Sequence, residues 1–168
     1  MENIYRDTSG KSEINKSLLF SELGNHSEQF LLGLIFYEGE KMEENLEKAF
    51  YWIKKSAEQG YSPAQCHLGM MYFCGHGIEK NYNQSFIWLR ESAEQSHSEA
   101  EYYLSWHYKY GWGVIKDLKE WEYWLKKSAA HGYEGAKNAV FDCFECGSIE
   151  FLFSKPQLST SMFFRWER

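Results

Sequence analysis

Proline is nearly missing from this chain: Pro63 and Pro156 are the only two in 168 residues. A sequence so poor in the residue that breaks helices can run through one helix after another. No apolar stretch approaches the about 18 residues that a membrane-crossing helix requires, so no membrane partner is expected. Basic residues are outnumbered, 18 Lys and Arg against 24 Asp and Glu, for a formal net charge of −6. Binding nucleic-acid phosphates asks for the opposite balance, so nucleic acid is not expected either. An acidic surface favours solubility and, as a partner, something basic. Residues 1–10 have neither the basic start nor the apolar run of a secretory signal, which makes a cytoplasmic protein the expectation.

The residues that carry chemistry are also sparse or badly spaced. Cys66 and Cys74 lie eight positions apart in a helical pattern, about 12 Å of rise, too far for a disulfide. Cys143-Phe-Glu-Cys146 is a CxxC inside a helical pattern, with neither a second CxxC nor a paired His motif at zinc spacing. Reduced thiols in a core or groove are the simpler reading, and no metal or cofactor is expected. His26, His67, His76, His97, His107 and His131 form no HExxH pair and no Ser-His-Asp order. Gly75-His-Gly77 and Gly111-Trp-Gly113 follow helical patterns rather than strands, so they read as turns and not as nucleotide loops. No catalytic residue emerges.

What the chain does have is a period. Shifted by 36 residues, the sequence falls on itself without insertion: Leu32, Leu68 and Leu104 align, as do Phe36, Tyr72 and Tyr108; Gly39, Gly75 and Gly111; Trp52, Trp88 and Trp124; Ala57, Ala93 and Ala129. A fixed period of this size marks a stacked repeat architecture. Asn45, Asn81 and Asp117 each precede a helical pattern, where their side chains can take up orphan backbone N–H groups. Gly60 and Gly132 stand where a helix end wants a left-handed residue, and Ser96 replaces them in the middle copy. Each copy is therefore a helix pair that must stack on its neighbours to bury its apolar side. The tryptophan column, present in every complete copy, is expected to be substantially buried.

Ala64…Leu68-Gly69…Tyr72…Gly75-x-Gly77-Ile78…Asn81…Trp88…Ser92-Ala93-Glu94-Gln95 resembles the Sel-one-like repeat (SLR), a relative of the tetratricopeptide repeat. The resemblance covers roughly residues 11–147. It implies an all-α fold, a right-handed α/α solenoid of 36-residue helix pairs with a modified C-terminal cap. Within one domain the expected parts are an N-terminal half-repeat cap at 11–24, three copies at 25–60, 61–96 and 97–132, a partial fourth at 133–147, and an aromatic cap at 148–168. Lys41 replaces the second turn glycine, Ser105 replaces Gly33 and Gly69, and Trp121 stands where Ala49 and Ser85 do; these departures predict less regular packing in the third copy.

In a related tetratricopeptide stack the columns one turn away from the packing residues would line a concave groove. Here those columns hold Phe30, Leu34, Tyr37 and Glu38, then Cys66, Met70, Phe73 and Cys74, then Tyr102, Trp106, Lys109 and Tyr110. They are largely apolar or aromatic, as in partner-binding patches. Filling by the aromatic tail or by neighbouring helices is the competing use of the same columns. Glu38, Glu40, Glu43, Glu44 and Glu47 crowd the first inter-helix turn, either as a solvated face or as a landing site for a basic partner. The resemblance implies a non-enzymatic protein-binding scaffold, monomeric on its own. More narrowly, small acidic SLR proteins are similar to immunity proteins that neutralise toxins passed between bacteria, which makes a basic toxin domain the expected partner. A general adaptor is the first alternative. A small hydrolase of the secreted, cysteine-stapled kind is the second, disfavoured because Ala57, Ala93 and Ala129 stand where that kind carries cysteine.

Overall fold

The computed structural model describes residues 24–39 and 45–145, with side chains as far as Phe141. The N-terminal half-repeat, most of the acidic turn (Glu40, Lys41, Met42, Glu43, Glu44), the Cys143 and Cys146 side chains and the aromatic tail lie outside these residues. Among those described there are seven helices and no strand: α1 His26–Glu38, α2 Leu46–Glu58, α3 Ser62–Cys74, α4 Tyr82–Glu94, α5 Ser98–Tyr110, α6 Leu118–Ala130 and α7 Glu134–Glu145. This is an all-α repeat fold.

The helix starts are written in the sequence. The Asn45 and Asn81 side chains accept from the N–H of Lys48 at 2.9 Å and of Gln84 at 3.0 Å, and Asp117 accepts from Lys119 and Glu120. Asn25 caps α1 in the same way, through Ser27 and Glu28. Each cap satisfies donors that the first helical turn leaves orphaned.

The described residues fall into two compact bodies, divided between Lys80 and Asn81. In the first, α1 packs on α2 and α2 on α3; in the second, α4 packs on α5, α5 on α6 and α6 on α7. The buried stripe on α2 is Ala49, Ile53, Ser56 and Ala57, and its repeat on α4 is Ser85, Leu89, Ser92 and Ala93. These spacings are those of one helix face. Small residues in that stripe let backbones approach closely. A Cβ added at Gly33 of α1 would come within 2.5 Å of the Ile53 side chain and 3.3 Å of the Ala49 carbonyl. Two buried serines tie the helix pairs together: Ser56 donates to the His26 carbonyl and Ser128 to the Ser98 carbonyl, each at 2.6 Å.

Trp88 corrects an expectation. It is half-buried, like Trp52 and Trp124, while its neighbour Leu89 is fully buried. One residue's turn of the helix carries the indole off the centre of the stripe to its edge. At that edge Trp124 Nε1 donates to Glu120, and Lys127 lies 4.6 Å above the Trp124 ring. The substitutions in the third copy are absorbed. Trp121 is buried with Tyr102, Leu125 and Ala136, and the Ser105 hydroxyl turns back onto the Tyr102 carbonyl of its own helix. Helices α5 and α6 keep the 13-residue length of α1 to α4.

The turns use glycine for two reasons. Gly113, at φ +68°, lies so close to the Tyr82 carbonyl that an added Cβ would overlap it, and Gly77 stands in the same relation to Leu46. Ser96, by contrast, is the one non-glycine with positive φ among the described residues, at +64°. Its counterparts Gly60 and Gly132 have open space around them. Gly113→Ala is therefore expected to destabilise the protein by about 2–4 kcal/mol, through strain and steric overlap. Ser96→Gly is expected to stabilise it by roughly 0.5–1 kcal/mol. Chemical denaturation measures both, and equal signs for the two changes would contradict this account of the turns.

Candidate partner-binding face

The expected face is carried by α1, α3 and α5, and the structure arranges it as one group of side chains in each compact body. In the first body, Phe30 and Tyr37 both meet the His67 ring edge-on, with centroids 5.4 and 5.9 Å away. Phe30 also meets Tyr61, and Tyr61 meets His26 at 4.8 Å. The Tyr37 hydroxyl hydrogen-bonds His76 Nδ1 at 2.7 Å, fixing the ring by the turn that follows α3. Leu34 and Phe73 are half-buried and Glu38 is exposed. Met70 is buried, as is Cys66, so these two form the floor of the face rather than its surface; Cys74 is half-buried.

In the second body the face is more aromatic. Trp106 is half-buried, with its ring 5.0 Å from Tyr102 and 6.1 Å, edge-on, from Tyr103. Tyr102 is a correction of the same kind as Met70. It is only 8% exposed and packs against Tyr133 at 5.1 Å, so it supports Trp106 from below. Burial, with Tyr133 beside it, pushes the Tyr102 phenol well above its ordinary range, which keeps it neutral. Lys109 spans two rings, Tyr110 at 5.4 Å and the buried Trp121 at 5.1 Å. Tyr110 in turn lies 4.8 Å from Trp112, and Trp112 stacks on Tyr82. The sequence reading missed His67, Tyr103 and Trp112. His67 and Tyr103 share one repeat column with Leu31, and a column that changes chemistry from copy to copy was the available signal.

Each body also holds a polar pair, at equivalent places in the repeat, that escaped notice. Gln29 is buried and accepts from Gln59 Nε2 at 2.7 Å. Two periods later the same places hold Glu101 and His131. Glu101 is fully buried, with His131 Nδ1 at 2.8 Å and Lys127 Nζ at 3.2 Å. A neutral amide pair has become a charged cluster joining α5 to α6. Among the described residues no group of His, Cys, Asp or Glu side chains could hold a metal ion, and no helix is long and apolar enough to cross a membrane. The face offers apolar area, aromatic edges and a few charges, which is the chemistry of recognition.

Comparison with known proteins places this geometry. A family model described as Sel1 repeat matches residues 29–61, 62–97 and 98–133. The crystal structure of a Sel1 repeat protein from Oxalobacter formigenes is 34% identical, with a TM-score of 0.70, over 77% of this chain and 98% of that one. The structure of c5321, described as a protective antigen of uropathogenic Escherichia coli with an SLR fold, is 29% identical with a TM-score of 0.75. That match covers 80% of this chain but only 29% of the longer antigen. Helicobacter pylori cysteine rich protein B, at 18% identity and a TM-score of 0.63, shares the fold. No curated protein sequence matches significantly.

The charged cluster yields a measurable expectation. Lys127→Met, which leaves the buried carboxylate with the imidazole alone, should cost roughly 1–3 kcal/mol. Made in a Glu101→Gln background the same change should cost less than half as much. A double-mutant cycle by urea denaturation that returned a coupling near zero would show that Lys127 does not stabilise Glu101.

Proposed function

The chain belongs to the Sel1 repeat family, and from that premise we propose that it binds one protein partner through the side-chain groups of α1 and α3 in the first body and of α5 in the second, as a cytoplasmic immunity protein that neutralises a toxin. Sel1 repeats are scaffolds typical of protein–protein interaction, which supports the coarser part of the reading. The finer part rests on the character of the face and on the net charge of −6, which suits a basic partner.

One observation carries the binding reading: Trp106 is half-buried although its column elsewhere holds Leu34 and Met70. Packing in this column is satisfied by a smaller apolar side chain. A tryptophan braced by Tyr102 and Tyr103, with part of its ring still exposed, is a rigid, amphipathic anchor of the kind that dominates binding energy. In the first body Phe30, Tyr37 and Phe73 supply partly exposed aromatics, Leu34 adds apolar surface and Glu38 an acidic edge. Lys109 and Tyr110 border Trp106 on its own helix. The partner is monomer-to-monomer in this reading, and the protein performs no catalysis.

The test is affinity capture of the partner from native lysate, followed by calorimetry with the purified pair. Trp106→Ala should weaken the complex at least about thirtyfold, equivalent to about 2 kcal/mol, while the helical signal and melting transition stay nearly intact. A single tight one-to-one partner with toxic activity supports the immunity reading. Several weak partners would make the protein an adaptor. Undiminished affinity together with loss of folding would place Trp106 in the core and remove the face from consideration.

A further inference from the structure

Helix α5 differs from its counterparts at both ends, and in each case the difference is a histidine. At its start the N-cap is His97, whose Nδ1 accepts from the Ala100 N–H at 3.4 Å; α1 has Asn25 in that place and α3 has Tyr61. In its last turn the buried residue is His107, where α1 has Ile35 and α3 has Met71. The His107 ring spans two elements. Its Nδ1 donates to the Trp112 carbonyl at 2.6 Å, and its Nε2 faces the buried Ser85 hydroxyl on α4 at 3.1 Å. The partner residue has changed along with it: Ala49 stands where Ser85 does one period earlier, as Met71 stands for His107. The His107 carbonyl meanwhile accepts from both Gly111 and Trp112, closing the helix.

The two histidines resist protonation for different reasons. A cap must accept through Nδ1, which protonation forbids. A protonated His107 can still donate from Nδ1 to the Trp112 carbonyl and from Nε2 to the Ser85 oxygen, so what opposes its charge is burial: it lies among the Phe86 and Trp112 rings, which offer a cation no polar solvation equal to water. We propose that α5 is an acid-sensitive latch: protonation of His97 and His107 releases both ends of the helix and with them the face that carries Trp106, Lys109 and Tyr110.

The window follows from the environment. Burial pushes His107 down from 6.5 to about 4 and pushes His97 down as well, against the pull of Glu101. A histidine whose folded value lies below its unfolded value contributes fully above about pH 6.5, and that contribution drains away as pH falls toward 4. The charged and titratable groups around the latch are Glu101 on α5 itself, Lys127 and His131 on α6, and Tyr133 before α7; on α4 His107 meets Ser85 and Phe86. From His107 alone, the folded-to-open ratio at pH 5 falls about twentyfold relative to pH 7.

The latch does not depend on which partner binds, so its test needs no partner. Hydrogen exchange on the full chain, corrected for intrinsic rates, is compared at pH 7 and pH 5. Protection of the α5 amides should fall at least tenfold more than that of α1. The variant His97→Asn/Ser85→Ala/His107→Met, built from residues that the repeat itself uses at those places, should hold α5 protection steady across the same range. Equal losses in α1 and α5, or a triple variant that keeps the full drop, would overturn the latch. Should the triple variant fail to fold, NMR titration of the wild-type ring decides: a His107 value near or above 6 overturns the proposal, and one near 4 supports it.

Discussion

The packing of this chain turns on a hydroxyl meeting a carbonyl. Ser56 and Ser128 each lie in a fully buried position and donate to the backbone oxygen at or beside the start of the helix they pack against. A larger side chain in that column would hold the two backbones apart, and an alanine would leave the buried carbonyl without this donor. The close approach that the serines fix is what allows Gly33 to touch Ile53 and what places the inward stripe of each second helix against its partner. It also decides which residues remain at the margin. The indoles of Trp52, Trp88 and Trp124 stand at the edge, while the centre holds small residues and one branched aliphatic in the first two copies and Trp121, Leu125 and Ser128 in the third.

Much of this was legible. The 36-residue period, the caps Asn45, Asn81 and Asp117, and the helix-ending positions at Gly60, Ser96 and Gly132 follow from local chemistry that acts within a few residues. The depth of a side chain was harder, since periodicity assigns a face to a residue but not its distance from the axis of that face. Trp88, Met70 and Tyr102 were misjudged for that reason: one proved shallower than its column suggested and two proved deeper. The polar pairs were invisible because Gln29 and Gln59 are thirty residues apart and each alone reads as a surface amide. Only the later pair, Glu101 and His131, shows that the place is buried enough to need a partner for a charge.

The face and the core beneath it are not independent. Trp106 leans on Tyr102, Tyr102 on Tyr133, and Lys109 on Trp121, so the aromatic surface of the second body is the outer layer of its own hydrophobic cluster. Such bracing lowers the conformational entropy a side chain has left to lose on binding.

The contact of Gly113 with Tyr82, and of Gly77 with Leu46, is made to a backbone carbonyl. A carbonyl is present whatever the side chain, and here the two equivalent places hold residues as unlike as leucine and tyrosine. At this one contact the joint between successive copies is indifferent to sequence on one side and demands only glycine on the other. A duplicated copy keeps this backbone contact with whatever precedes it, and the columns that choose a partner can then diverge. Lineages built on such a joint can lengthen first and specialise afterwards.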